Sequence, residues 1–335
     1  MLVRVSQRFY TPIKSEVMPL VSHECQQQLV LPHVVFSTLF HSYPDEFQRK
    51  MAGSPGEMQQ FWEDMQPHPN YGACVGGTHW QDRTIPIALH GDGTPVSGIG
   101  KTWCRMMDIY SWTSLLAAGS TLDFTILIYA VFTALMRSDT MDNAWRLICW
   151  SFKALATGLW PEEDAFGRKF TEFAPHSIDA MRAGSKLADG FRAVIFVVRG
   201  DLDYYSKNLR LRHHASNRPC SWCPCNSISG DPMHWAEFRR DVRQWSSEVW
   251  TGPEWIDSHP SRHMLFSILD LTVCHVYVDW MHTKHLGCDA FLYGSILWLL
   301  VYKLLPGVRA RSHMQQGFGF VIVNNPKYIY SNGHV

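Results

Sequence analysis

The sequence predicts an α/β protein, a mixed β-sheet flanked by helices, and three observations carry that expectation. Ile85-Pro86-Ile87-Ala88-Leu89-His90 is a short apolar run closed by Gly91-Asp92-Gly93, the pattern of a buried strand ending in a turn. Phe191 to Val198 is a second such run, rich in β-branched residues and followed by Gly200-Asp201. Between them Trp145, Ile148, Cys149 and Phe152 recur at helical spacing, which places them on one face of a helix.

In chain order, residues 1–80 read as a mostly helical accessory region. Leu31-Pro32-His33-Val34-Val35-Phe36 opens an apolar segment, and Ser54-Pro55-Gly56 precedes a helix from Glu57 to Met65. His68-Pro69-Asn70-Tyr71-Gly72 is a turn-rich break. The strand from Thr84 is expected to end at Asp92. Lys101 to Trp112 is expected as a second strand and Leu122 to Val131, rich in Ile, Phe, Tyr and Val, as a third. Asp142-Asn143 can cap a helix from Ala144 to Leu155, which Gly158 and Pro161 would end. A helix over Ser177 to Leu187, the strand from Phe191 and a helix over Tyr204 to Arg212 follow.

Three strands, helix, helix, strand, helix is the order of a ribonuclease H-like core, in which an antiparallel triplet precedes parallel strands. A generic α/β domain fits the same pattern. The core is assigned to residues 81–218. Residues 219–278 read as an irregular Cys/Trp-rich insertion carrying Trp222, Trp235, Trp245, Trp250 and Trp255. Residues 279–306 are expected to complete the core as one long helix, Asp279 to Leu305, stopped by Pro306-Gly307. Residues 307–335 form an irregular tail.

Composition bounds the function. At 335 residues, 46% hydrophobic and 18% charged, the chain can bury one large core or two moderate ones. Fourteen tryptophans imply large aromatic clusters or stacking surfaces. Thirty basic and thirty acidic side chains cancel, which argues against a generic polyanion-coating protein but leaves room for a local basic groove. Arg4, Arg8 and Lys14 break up the start, so no secretory signal is expected. A reducing, intracellular setting then favours metal ligation over disulfides for clustered thiols. The apolar runs Phe124–Met136 and Ala290–Tyr302 span thirteen residues each, short of the roughly 20 that cross a bilayer. They read as core elements, and no membrane partner is expected.

Two candidate sites emerge. Asp92 and Asp201 each close a strand beside glycine, and strand-end carboxylates from neighbouring strands can converge on divalent cations that activate phosphodiester chemistry. The alternative is that Asp-Gly and Gly-Asp are turn dipeptides. Asp203, two residues on, is either a second ligand or a solvated loop acid. Cys220, Cys223 and Cys225, with His213 or His214 in front, can supply four zinc ligands. Pro224 constrains Cys225, and a reduced, partly buried thiol cluster is the other reading. Asp279 and His282, at i and i+3, share a helical face as a ligand pair or as a capping interaction. Lys284 and His285 would extend a polar patch where phosphate could dock.

The segment VDWMHTKHLGCDAFLYGSILWLLV, Val278 to Val301, resembles the Asp-x-Met-His-x-x-Lys block and following helix of CACTA-type (En/Spm-like) transposases. It is similar also to the Asp-x-Leu-His segment of Plavaka-type elements. Asp201 followed by Cys220-x-x-Cys223, and Ile85 to Gly100, resemble other parts of these families. The likeness covers about Thr84 to Leu305. It implies a ribonuclease H-like DDE/D core that cleaves and transfers DNA strands, using three carboxylates with Mg2+ (or Mn2+). Asp92 would be the first acid, Asp201 the second and Asp279 a candidate third. It also implies a structural Zn2+ at the cysteines, transposon-end or target DNA as partner, a homo-oligomer and a nuclear location. These families carry the last acid on a late helix, and no acid-bearing helix is evident after Leu305. The expectation is therefore a truncated or diverged copy, either active or reduced to a DNA- or protein-binding module of the same fold.

Overall fold

The computed structural model describes residues 15–19, 26–72, 80–97, 105–213, 215–237, 245, 248–268, 271–279, 284–285 and 288–300. The chain divides into two compact units, Met1–Tyr277 and Val278–Val335.

The first unit is α/β, built on a five-stranded mixed sheet ordered β5-β4-β3-β6-β7. Its strands are β3 (Thr84–Ser97), β4 (Arg105–Ser114), β5 (Ile126–Phe132), β6 (Arg192–Gly200) and β7 (Val276–Val278). A separate two-stranded antiparallel ribbon joins β1 (Ser15–Pro19) to β2 (Gln26–Val30). In the main sheet β3, β4 and β5 pair antiparallel in succession, whereas β3 and β6 run parallel. That parallel ladder runs from Thr84↔Arg192 to His90↔Arg199.

β3 does not stop at Asp92 as the sequence led us to expect. It continues to Ser97, with Asp92 opposite Ile109 and Gly93 opposite Asp108 on β4. The Gly-Asp-Gly that looks like a turn is instead a stretch of strand where a ring crosses close by. A Cβ added to Gly91 would stand 2.2 Å from the Tyr204 ring, so only glycine admits this approach.

Helices cover the sheet. α1 (Pro32–Ser42) begins with proline in its first turn, where a missing N–H costs nothing. The short α2 (Pro44–Phe47) precedes α3 (Glu57–Asp64). α3 buries Met58 and Trp62, and the Trp62 indole donates to the Thr84 carbonyl at 2.7 Å. The described segment from Leu29 to Trp62 therefore packs into the same apolar core as the sheet, which extends to Val276.

A short α4 (Thr121–Phe124) leads into β5. α5 (Thr140–Thr157) sets Trp145 edge-on to Tyr110 at 5.2 Å and Phe152 edge-on to Trp112 at 6.4 Å. It starts earlier than expected because Asp139 is its N-cap residue, and Gly158 at φ 71° ends it. α6 (Phe170–Phe173) and α7 (Ile178–Arg182) follow, the latter capped by Ser177 and shorter than expected. α8 (Leu202–Asn208) leaves β6 directly, and α9 (Gly252–Ser258) carries a Thr251/Glu254 capping box.

In the second unit α10 covers Ala290–Leu299. Asp279 does not open it: it lies in non-helical backbone directly after β7. His282, and the expected tail from 307, lie outside the described residues. Among the described residues no helix is long and apolar enough to cross a membrane.

Candidate acidic and thiol sites

The acidic site follows from the β3–β6 ladder. Its last pair is His90↔Arg199; Asp92, within β3, and Asp201, the residue after β6, each stand two residues beyond that pair. Gly91 and Gly200 lie between, and a Cβ on Gly200 would come within 3.0 Å of the Gly91 carbonyl oxygen and 2.4 Å of the Tyr204 ring. The paired glycines let the strands close under Tyr204.

Asp201 has a second task. Its carboxylate accepts the Tyr204 N–H at 2.6 Å and caps α8, which satisfies an otherwise orphaned helix donor. Asp203 is exposed and binds Lys207 at 2.6 Å one turn on, so in this structure it is an ion-pair partner within α8. Hydrogen bonding to Asp203, together with the charges of Asp201 and Asp108, raises the Lys207 ammonium above its ordinary range.

Asp108 is the acid that the sequence reading passed over. It sits partly buried on β4 opposite Gly93. Burial pushes its carboxyl up, Lys207 opposes this, and the nearby charges of Asp92 and Asp203 add to the rise. The signal was present: a lone acid inside the alternating strand Met106-Met107-Asp108-Ile109-Tyr110 is unusual enough to mark a special position.

Among the described residues, no group of three metal-ligating side chains at ligand spacing includes Asp92, Asp201 or Asp279. The described residues place Asp92 and Asp201 at the same end of the paired β3 and β6, with Asp108 near Asp92. Asp279, partly buried, belongs to the second unit.

The thiols do converge. The sulfurs of Cys220, Cys223 and Cys225 all lie within 4.8 Å of one another, and Pro224 does not keep Cys225 away. Thiolates about 2.3 Å from a tetrahedral zinc stand about 3.8 Å apart, so this set could hold a metal ion. The loop is held on several sides. The Trp222 N–H points at the Cys220 sulfur at 3.4 Å, and Arg212 donates to the Cys220 carbonyl at 3.0 Å. The Ser221 hydroxyl accepts the Arg212 N–H at 3.0 Å. Asn226, just beyond, pairs with Met233 and Trp235. Burial pushes all three thiols up. His213 accepts the Ala215 N–H through Nδ1 at 3.1 Å, and it does not join the three-thiol group. His214 lies outside the described residues.

No protein-family model, no curated protein and no solved structure matches the chain.

Proposed function

We propose that the first unit is a ribonuclease H-like, transposase-derived domain of the CACTA or Plavaka type that acts on DNA in the nucleus. Asp92 and Asp201 would be its cation-binding acids. The observation that carries this reading is their placement, one acid within β3 and one directly after the adjacent parallel β6, each two residues past their last ladder pair. The sheet supports it, since an antiparallel triplet joined to a parallel strand is the arrangement such a core requires. A divalent cation held there would supply Lewis-acid stabilisation of a phosphodiester. The chain's own contribution is to fix the two carboxylates: Gly91 and Gly200 let the strands close, and Tyr204 packs across both.

The test is nicking of supercoiled plasmid by purified protein with Mg2+ or Mn2+. Activity that falls to background in both Asp92→Asn and Asp201→Asn supports the reading. Equal activity in the variants removes these residues from the chemistry.

A second reading, a catalytically silent DNA-binding module, is favoured by one observation: the Asp201 carboxylate is engaged in capping α8 and no third acid joins the pair among the described residues. DNA affinity without cleavage under any divalent cation would select it. For the thiols we propose a structural Zn2+, with His213 or His214 as the fourth ligand, tying down the loop that carries Trp222.

A further inference from the structure

A cavity of the first unit takes in Trp222 from the thiol loop and none of Asp92, Asp108 and Asp201. Its volume is about 830 Å3, within the range of roughly 300–1,000 Å3 typical of ligand sites. Trp222, Trp250 and Tyr277 give it aromatic walls, and none of its lining residues is Lys, Arg, Asp or Glu. Its one histidine, His275, is buried, and burial lowers its pKa to about 4, so the ring is neutral near pH 7. A phosphate or any other fully charged group would enter without a counter-charge.

Two of the three aromatic walls have their polar edges engaged. The Trp222 indole N–H donates to the Val276 carbonyl at 3.2 Å, and the Tyr277 hydroxyl meets His68 Nε2. The Trp250 backbone N–H donates to the Trp222 carbonyl at 2.8 Å, and the Trp250 carbonyl takes the Cys274 thiol at 3.6 Å. The Trp250 indole N–H, by contrast, is buried without a hydrogen-bond partner among the described residues. What these rings offer a ligand is their faces and this one donor. A peptide backbone entering here would bring N–H and C=O groups that need partners. A planar heterocycle can stack on those faces, and its ring nitrogens and carbonyls can accept the Trp250 indole N–H.

We infer that this cavity receives unstacked bases of a single-stranded nucleic acid, with the sugar-phosphate chain left outside. Base–aromatic stacking of this kind tolerates sequence, because every base has a π-face. The inference rests on the DNA-processing reading and deepens it. It also gives the thiol loop a purpose. Trp222 stands between Cys220 and Cys223, so an ion held by those sulfurs would fix one wall of the cavity.

The test is fluorescence anisotropy with a labelled oligodeoxythymidylate and an abasic oligonucleotide of the same length. The full chain is compared with Tyr277→Ala, Tyr277→Phe and Val249→Trp. Tyr277 and Val249 are 38% and 58% exposed, so these changes spare the core. The wild-type chain is expected to bind the thymidylate at least about tenfold more tightly than the abasic strand. Tyr277→Ala and Val249→Trp should erase that preference, and Tyr277→Phe should keep it. Equal binding of the two strands by wild type, or full preference in Tyr277→Ala and Val249→Trp, overturns the cavity assignment while leaving the DNA reading intact. Failure of wild type to bind either strand, or duplex DNA, overturns both.

Discussion

Tyr204 and the two glycines beneath it decide how close β3 and β6 can come. Adding a methyl at either position forces it into the ring, at 2.2 Å for Gly91 and 2.4 Å for Gly200. Gly91→Ala and Gly200→Ala are each expected to destabilise the fold by about 1–3 kcal/mol in urea unfolding, the usual cost of overpacking. Wild-type stability in both would show that the ring moves freely. The Tyr204 hydroxyl itself is buried without a hydrogen-bond partner, so Tyr204→Phe should leave stability unchanged or higher. Asp201 separates structure from chemistry. Asp201→Ala removes the α8 cap and should cost about 1 kcal/mol, whereas Asp201→Asn keeps an N-cap acceptor and should cost little. If both variants unfold at the same urea concentration as wild type, Asp201 does not cap α8 in solution.

At the scale of elements, the thiol loop is the part that could hold a metal ion. Purified protein is expected to carry one zinc per chain, lost in Cys220→Ser, Cys223→Ser and Cys225→Ser alike. Elemental analysis showing zinc unchanged in any of them would remove that sulfur from the site. The regular elements were largely readable from pattern. β6 and α5 announced themselves because their apolar spacing has a clear period and their ends carry Gly200 and Gly158. The onward run of β3 was not readable, because Gly91-Asp92-Gly93 has turn composition and only the distant Tyr204 ring explains it. The β1–β2 ribbon was missed for a related reason: Gln26-Gln27-Gln28 shows no alternation, and pairing with Ser15–Pro19 supplies what pattern does not. The start of α10 was misjudged because Asp279 and His282, at i and i+3, resemble a helix opening, whereas at Asp279 the chain has only just left β7.

Across the whole first unit, a single core unites segments that composition suggested were separate. Leu29, Trp62, Trp145 and Trp255 all join it, and such long-range burial leaves no local mark. Asp92 and Asp201 were legible as strand-associated acids. The three-thiol cluster was legible too, being close in the sequence, whereas the cavity became visible only when distant segments met.

Two buried histidines set the acid sensitivity of this core. Burial lowers His263 to about 4, with Arg210 adding to the shift and Asp142 opposing it. Burial likewise lowers His275 to about 4, with the Thr272 hydrogen bond opposing and His68 adding. The unfolded chain takes up these protons near pH 6.5 and the folded chain only near 4, so their contribution is intact above 6.5 and lost as pH falls through that window. Stability is expected to drop by about 1–2 kcal/mol per histidine between pH 7 and pH 5, read from urea midpoints. Equal midpoints would mean the rings are hydrated.

The alignment of Asp92 with Asp201 is the centre of the functional reading, and cation binding tests it without requiring turnover. Titration of the full chain with Mn2+, followed by the electron paramagnetic resonance signal of the free ion, should show a site in wild type. In Asp92→Asn and Asp201→Asn that site should weaken at least about tenfold, the loss of one carboxylate ligand. Mn2+ binding of equal strength in all three proteins, or in none, would contradict it.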